Sequence, residues 1–219
     1  VGIEFSIHGM LDGRVRVGMP GKFNADNALA ALAVCTLALS GGSGVLDDHT
    51  KQAILGSLVK VRVDGRMEIA HVSKKCSVIV DYAHNAVSME SLLTTLRDYH
   101  PKRLVCVFGC GGNRARDRRY SMGEIGGKMA DLCIITADNP RFEKNEDIIK
   151  DIEVGLAKTD GTYLVIPDRR EAIFYAIRNA EEGDMIAIIG KGHEDYQEIE
   201  GVKHHFLDRE VVEEAVNNV

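Results

Sequence analysis

The 219-residue chain lacks the features of several protein classes. No apolar run reaches the roughly 18 residues that a membrane-spanning helix needs. The opening stretch, VGIEFSIHGM, has neither the basic nor the apolar segment of a signal peptide. The net charge is −6, whereas sequence-independent nucleic-acid binding needs a net basic surface. We therefore expect a protein that contacts neither a membrane nor nucleic acid.

Cysteine is also scarce. The five cysteines are an odd number, and none of their spacings is that of a metal site; they are Cys35, Cys76, Cys106, Cys110 and Cys133. We expect reduced thiols in a cytoplasmic protein, no bound metal, and packing roles for Cys106 and Cys110.

Two common glycine-rich nucleotide motifs are missing. The triphosphate-binding pattern G-x-x-x-x-G-K-[ST] does not occur, because no Gly-Lys pair has both the upstream glycine and the following Ser or Thr. The dinucleotide pattern G-x-G-x-x-G fails because Arg114 stands where the third glycine should be. The chain alone is therefore not expected to hold a triphosphate.

The chain nevertheless has ordinary globular composition, with 45% hydrophobic and 27% charged residues, which suits one or two domains. Before residue 64, alternation and capping signals predict a hairpin over 3–8 and 14–19, a helix capped by Asn24 and running to about Leu39, and a helix from about Asp48 to Val59. The opening lies within an alternating strand, so we expect the C-terminal part of a longer protein.

From residue 66 onward, short strands alternate with amphipathic helices. Strands are predicted at 67–72, 76–81, 103–109, 132–136, 163–166 and 185–189, and helices at about 86–99, 120–129, 146–157, 169–181 and 208–217. This alternation predicts an α/β fold, a mostly parallel sheet with helices on both faces. A hairpin around Gly201 is predicted to add an antiparallel edge.

Glycine, amide and charged residues follow four of these strands, in the loops 81–85, 109–119, 138–141 and 190–194. Ligands of open parallel sheets bind at the carboxyl ends of the strands. The loop 109–119 carries four arginines in an acidic chain, and Arg141 follows a neighbouring strand. Since guanidinium groups bind carboxylate or phosphate, a ligand with more than one acidic group is indicated. A solvated basic loop and a surface salt bridge at Arg141 are the alternatives.

Three more residues of these loops are candidates for the site. His84 and His193 are either bases, ligand contacts or hydrogen-bonding structural residues. Glu194 follows Gly190-Lys191-Gly192 and can hold an ammonium group or face water.

Six motifs in a fixed order carry a resemblance that covers nearly the whole chain. They are Asn24 with Asn27-Ala28-Leu29-Ala30-Ala31, Gly65-Arg66-Met67-Glu68, Asp81-Tyr82-Ala83-His84-Asn85, Gly109-Cys110-Gly111-Gly112-Asn113-Arg114, Asp138-Asn139-Pro140-Arg141 and Gly190-Lys191-Gly192-His193-Glu194. Together these motifs make the chain similar to the Mur ligase family, although each alone is weak.

The resemblance implies residues 1–64 as the C-terminal part of a central P-loop-type ATPase domain. It implies residues 65–219 as a Rossmann-like domain that binds an amino acid. The implied complete enzyme uses ATP and Mg²⁺ to join meso-diaminopimelate to UDP-MurNAc-L-Ala-D-Glu in peptidoglycan synthesis. The acceptor carboxylate becomes an acyl phosphate that the amine attacks. The P-loop and metal ligands would lie outside this sequence, so we expect the 219 residues to be inactive alone.

The resemblance also implies site residues. Contacts to the amino acid fall on Arg114, Asp138, Asn139, Pro140, Arg141, Gly190 and Glu194, and contacts to the nucleotide on Asn27, Arg66, Asp81, His84 and Asn85. Diaminopimelate is lysine with one further carboxylate, so an arginine that pairs with that group would reject lysine.

Two alternatives remain open at this point. Asn85 and Asn113 depart from the usual family pattern, which has Thr-Pro after Asp-Tyr-Ala-His and Asp-Arg-Asp after the glycine-rich turn. The departures motivate a related ligase that adds another amino acid, such as L-lysine. The missing P-loop motivates a non-catalytic anion-binding module.

Overall fold

The chain folds as two compact units that divide near residue 64, and the computed structural model describes residues 2–218 of them. The units comprise residues 2–63 and 64–218 of this range. The division falls at Val63-Asp64-Gly65, where the sequence pattern changes. The identities of the two units as parts of a ligase stay a prediction.

The first unit is a hairpin with two helices. Its elements are β1 (Ile3–Ile7), β2 (Gly13–Val17), α1 (Phe23–Leu39) and α2 (Asp48–Ser57), the last followed by a 3-10 turn over Leu58–Lys60. Alternation along β2 buries Val15 and Val17, while Arg14 and Arg16 point outward. Their guanidinium groups lie 3.2 and 3.1 Å from the Glu4 carboxylate.

The predicted cap of α1 is wrong. The helix begins at Phe23, before Asn24, so Asn24 lies inside its first turn. The buried Asn24 amide instead donates to the Pro20 carbonyl at 2.6 Å and fixes the turn ahead of the helix. A side-chain cap is instead found at α2, where Asp47 accepts from the Thr50 backbone N–H at 2.9 Å.

The second unit is an α/β fold, as predicted. In chain order it contains β3 (Glu68–Val72), β4 (Cys76–Asp81), α3 (Ala86–Arg97), β5 (Arg103–Phe108), α4 (Asp117–Met129), β6 (Leu132–Ile135), α5 (Asn145–Leu156), β7 (Tyr163–Val165), α6 (Arg169–Arg178), β8 (Asp184–Ile189), β9 (Tyr196–Ile199), β10 (Val202–His205) and α7 (Asp208–Asn217). One sheet has the order β3-β4-β8-β5-β6-β7, and every pair except β3–β4 is parallel. Helices cover both faces of this sheet, and each face has its own hydrophobic core.

The prediction for the hairpin around Gly201 is wrong in its placement. Strands β9 and β10 pair with each other as a separate two-stranded sheet, and β3 supplies the antiparallel edge of the large sheet. A tight turn joins β3 to β4, in which the Ser73 N–H donates to the Cys76 carbonyl at 2.9 Å. Such a turn forces adjacent antiparallel pairing. Within residues 2–218, no helix is both long and apolar enough to cross a bilayer.

Candidate functional site

The carboxyl ends of four neighbouring strands meet at one pocket of about 230 Å³ in the second unit. Each of the four loops singled out in the sequence contributes to it. The lining residues are Tyr82, His84, Gly109, Cys110, Gly111, Arg114, Arg118, Asp138, Asn139, Arg141, Gly190 and Glu194. Six of the seven predicted amino-acid contacts therefore share this pocket. Pro140 is the exception: it is buried but does not line the pocket.

The four arginines of the loop 109–119 separate into two pairs. Arg114 and Arg118 line the pocket. Arg119 is 1% exposed and donates to Glu143 at 2.8 Å and to Asp151 at 3.0 Å, while Arg116 lies 3.8 Å from Asp151. The interpretation of the whole loop as anion-binding is therefore too broad. Helix α4 begins at Asp117, three residues earlier than predicted, and this turns Arg119 towards α5.

Two glycines let Arg114 and Arg141 approach the same stretch of backbone. A Cβ atom on Gly111 would lie 2.8 Å from Arg141 Nη1 and 3.8 Å from Arg114 Cγ. A Cβ on Gly112 would lie 1.9 Å from the Pro140 carbonyl oxygen, so the two loops touch through their backbones. Arg141 Nη1 donates to the Gly112 carbonyl at 2.8 Å. The Arg114 and Arg141 side chains thus both lie close to the backbone at Gly111 and Gly112.

The acidic part of the pocket is held by hydrogen bonds. Glu194 Oε1 accepts from the Tyr82 hydroxyl at 3.2 Å, and Glu194 Oε2 accepts from Asn139 Nδ2 at 2.8 Å. Asp138 lies beside Gly190, where an added Cβ would stand 2.6 Å from Asp138 Oδ2. Gly190 also has φ +113°, a conformation that favours glycine. The pocket therefore combines guanidinium groups with two carboxylates.

Lys191 is a site residue that sequence reasoning missed. Its ammonium group is fully buried and faces three acceptors: Asn139 Oδ1 at 3.1 Å, Glu194 Oε2 at 3.4 Å and the Tyr196 carbonyl. Burial lowers the pKa of Lys191, and the carboxylates of Asp138 and Glu194 oppose that shift. Three acceptors match the three protons of an ammonium group, so Lys191 orients Asn139 and Glu194 from behind.

A second buried cation supports the strand ends from below. Arg169 is 1% exposed and makes a two-bond ion pair with Asp208, at 2.7 and 2.8 Å. The same guanidinium donates to the carbonyls of Ala137 and Ile189, at 3.2 and 3.0 Å. These carbonyls belong to the residues directly before Asp138 and Gly190. The Arg169–Asp208 ion pair therefore fixes the position at which both pocket loops begin. The sequence signal is an arginine in the first turn of α6, after an edge strand.

The predicted nucleotide contacts fall in several places. Arg66 stacks on the Tyr82 ring, 4.6 Å from its centroid, and His84 Nδ1 lies 2.8 Å from the Tyr82 carbonyl oxygen. Asp81 is buried, and its two oxygens accept from the Met67 and Ala83 N–H groups, each at 2.7 Å. Burial raises the pKa of Asp81, and these hydrogen bonds oppose the shift. The structure thus gives Asp81 a local anchoring role, and its contact with a nucleotide stays a prediction.

Asn27 and Asn85 also have local partners. Asn27 belongs to the first unit, where its amide donates to Asn24 Oδ1 at 3.0 Å. Asn85 caps α3: its side chain accepts from the Ser88 N–H at 3.0 Å, and Ser88 reciprocates. Threonine and asparagine are both good caps, which explains why Asn85 can replace the usual Thr. The roles of both residues towards a nucleotide stay predictions.

The other departure from the family pattern has a similar cause. Asn113 has φ +55°, a left-handed conformation that asparagine and aspartate adopt more readily than most residues. Its side chain accepts from the Phe142 N–H at 3.3 Å, and its own N–H donates to Glu143. Asn113 therefore serves the turn that carries Arg114, a task that aspartate could also perform.

The cysteines near the site pack into the core, as predicted, and Cys110 also borders the pocket. Cys106 and Cys110 are buried in the hydrophobic core on one face of the sheet. Burial raises the pKa of Cys110 to about 12, so its thiol is protonated at neutral pH. Across residues 2–218, no three Cys, His, Asp or Glu side chains are grouped so that they could hold a metal ion.

A family model and several curated proteins match this chain. A family model described as "Mur ligase, glutamate ligase domain" matches residues 65–192. The chain is 43% identical over 203 residues to a UDP-N-acetylmuramoyl-L-alanyl-D-glutamate--2,6-diaminopimelate ligase of Clostridioides difficile, covering 93% of this chain and 40% of that one. It is 46% identical over 196 residues to the ligase of the same name from Aquifex aeolicus, covering 90% and 38%.

Solved structures extend the comparison. The structure of a ligase with that name matches with a TM-score of 0.69 and 35% identity, covering 94% of this chain and 41% of that one. A UDP-N-acetylmuramate-alanine ligase from Thermotoga maritima matches with a TM-score of 0.65 at 19% identity, which shows a shared fold; 94% of this chain and 40% of that one are covered. The chain spans about 40% of the length of the curated relatives named above.

Proposed function

The chain belongs to the Mur ligase family, and from that premise we propose that its second unit binds meso-diaminopimelate as the incoming amine of an ATP-dependent amide ligase. The acceptor in the proposed whole-protein reaction is UDP-MurNAc-L-Ala-D-Glu, as the names of the relatives suggest. Residues 65–219 would be the amino-acid-binding domain. Residues 1–64 would be part of the central nucleotide-binding domain.

One observation carries the proposal: Arg114, Arg141 and Glu194 line the same pocket. Diaminopimelate carries a carboxylate and an ammonium group at each end. The guanidinium groups suit its carboxylates, because an arginine fork binds a carboxylate through paired hydrogen bonds. Glu194 suits an ammonium group, because its oxygens lie at the pocket and are oriented by Tyr82 and Asn139.

The same pocket favours diaminopimelate over lysine. Lysine has no carboxylate at its far end, so it would leave the partly buried Arg141 guanidinium without a ligand carboxylate to bind. The Arg141 side chain is 20% exposed, which makes that loss larger than at an open surface. A site built to pair with a polar group strongly rejects the analogue that lacks it. Arg141 is therefore assigned to the carboxylate that distinguishes the two amino acids.

The proposed role of this chain in the reaction is to bind and orient the amine. Its residues hold the amino acid so that one nitrogen faces the acceptor, which other residues would supply. In the complete ligase, ATP would supply the phosphoryl group that activates the acceptor carboxylate.

Residues 2–218 do not by themselves fit a triphosphate or Mg²⁺. They contain no phosphate-binding glycine-rich motif and no cluster of three potential metal ligands. We derive no step through either group, and we expect no ATP hydrolysis and no product from the 219 residues alone. Measurable turnover by this chain would contradict that expectation.

Isothermal titration calorimetry on the 219-residue chain tests the proposal. Replacing Arg141 with alanine should weaken meso-diaminopimelate binding by about 2–5 kcal/mol, because one partner of a largely desolvated charge pair is removed. Arg116→Ala is the matched control. Arg116 belongs to the arginine loop but its side chain is 68% exposed, and it is absent from the pocket lining. Unchanged binding by the Arg141 variant, or equal binding of lysine by the wild type, would contradict the proposal.

A further inference from the structure

Strand β9 also supports the loop that carries Asp138 to Arg141. The Arg141 N–H donates to the Glu198 carbonyl at 3.0 Å, and the Glu200 N–H donates to the Arg141 carbonyl at 2.6 Å. The Glu198 N–H donates to Asn139 Oδ1 at 2.9 Å. Strand β9 and the turn after it therefore hold this loop through a ladder of three hydrogen bonds, two of them between backbone groups on either side of Arg141.

Arg141 depends on this support because its backbone is strained. Its φ is +54°, which lies in the left-handed region that a long side chain rarely adopts. Residues persist in such conformations only where their surroundings hold them. The strain directs the Arg141 side chain back towards Gly112 and β9.

Two partners then orient the Arg141 guanidinium. Nη1 donates to the Gly112 carbonyl at 2.8 Å, and Nε lies 3.2 Å from Glu198 Oε2. The two side chains of this ion pair are 20% and 21% exposed. With Nε and Nη1 engaged, the guanidinium plane has one orientation, and Nη2 takes part in neither contact.

We propose that Glu198 is the positioning residue that makes the pocket selective for an amino acid with a second carboxylate, because it holds the Arg141 guanidinium in its binding orientation. This inference rests on the proposed function and adds a residue outside the pocket lining to it. Glu198 acts through Arg141 and does not touch the ligand. Without the Glu198 carboxylate, the Arg141 side chain gains rotamers that point away from the pocket, and the ligand must restrict them on binding.

The local structure makes Glu198 a clean target for substitution. All of its contacts with the loop except the ion pair use its backbone, so a side-chain change leaves the ladder intact. Glu200 on the same hairpin is the matched control, since it is exposed and holds Arg141 only through its backbone N–H. Glu200→Gln removes the same charge near the same loop without touching the guanidinium.

The experiment is a calorimetric titration of the 219-residue chain with meso-diaminopimelate and with L-lysine. The proteins are the wild type, Glu198→Ala, Glu198→Gln and Glu200→Gln. Glu198→Ala should weaken diaminopimelate binding about tenfold, a typical size for residues coupled in one network, and leave lysine affinity within about twofold. Glu198→Gln keeps an acceptor beside Nε and should recover part of the selectivity. Glu200→Gln should match the wild type.

Any other result of this titration would contradict the inference. An unchanged ratio of the two affinities in Glu198→Ala would mean that Arg141 needs no help from Glu198. Tighter diaminopimelate binding would mean that Glu198 competes with the ligand for Arg141. Loss of both ligands would mean a general structural role. A wild-type chain that does not prefer diaminopimelate would instead overturn the proposed function, and the titration separates that failure from the others.

Discussion

The two units of the chain differ in how completely they bury their apolar residues. In the second unit, 21 buried residues form the core on one sheet face and 17 form the core on the other. In the first unit the core has eight. Helix α1 shows the reason, because it is apolar on nearly every side, while its buried positions form one narrow stripe at Asn24, Ala28, Leu32 and Thr36.

The difference in burial shows which unit can hold binding side chains in accurate positions. Side chains are held to within a fraction of an ångström only where packing and hydrogen bonds lock their rotamers. The second unit does this with two buried cations, Lys191 and Arg169, under loops that start from fully buried strands. In the first unit, Val34 and Leu39 of α1 are 67% and 62% exposed. A helix with apolar residues all round is typical of a buried position.

Removing a buried charge should produce the largest change. Asp208→Asn leaves the Arg169 guanidinium buried without its counter-charge, so the free energy of unfolding of the second unit should fall by about 3–5 kcal/mol. Glu214→Gln is the control, because Glu214 lies on the same helix and pairs with Arg170 at an exposed site. It should change the free energy by no more than about 1 kcal/mol. Urea unfolding of both variants measures the difference, and equal effects would remove the contrast between core and surface.

Substitutions on the exposed side of α1 should change association between molecules and leave the free energy of unfolding nearly unchanged. Exposed apolar area favours association, so we expect the wild type to self-associate in sedimentation velocity and a variant with lysine at both Val34 and Leu37 to do so less. The free energy of unfolding should change by about 0.5 kcal/mol or less per site. Leu32→Ala on the buried stripe is the control and should lower that free energy by about 2–5 kcal/mol. If the lysine variant unfolds, α1 is packed more fully within its own unit than its exposure indicates.

An exposed pair on the second unit should show the smallest effect. The hydrogen bond that His205 donates to the Glu210 carboxylate raises the pKa of His205 above 6.5. The folded state therefore binds this proton more tightly than the unfolded state. The resulting stabilisation is fully present below pH 6.5 and is lost as the pH rises through the raised pKa. NMR titration should give a midpoint above 6.5 that Glu210→Gln returns to the ordinary value, and an unshifted wild-type midpoint would contradict the pairing.

Much of the second unit follows from local sequence patterns. The runs at 103–108 and 184–189 are almost entirely apolar, so they predict strands buried on both faces, and the structure places them side by side in the middle of the sheet. The position of the hairpin around Gly201 could not be predicted in this way. The glycine at 201 predicts the hairpin itself, but the loop 139–141 that holds β9 beside the site is distant in sequence.

The sequence predicted which loops form the site better than it predicted which side chains point into it. Motifs at the strand ends identified the four loops that meet at the pocket. The direction of Arg119 depends on where α4 begins and on its packing against α5, neither of which the arginine-rich stretch reveals. Lys191 carried a usable signal, since a lysine two residues after a largely buried central strand must find acceptors nearby. Glu198 carried none, because its partner Arg141 meets it only through the folded hairpin.

A crystal structure of the 219-residue chain soaked with meso-diaminopimelate tests the central claim most directly. The expected result is one ligand in the second unit, with a carboxylate on the guanidinium groups of Arg114 and Arg141 and an ammonium nitrogen within hydrogen-bond distance of Glu194. Ligand bound elsewhere, or bound in this pocket with no carboxylate on Arg114 and Arg141 or with no ammonium nitrogen near Glu194, would contradict the account.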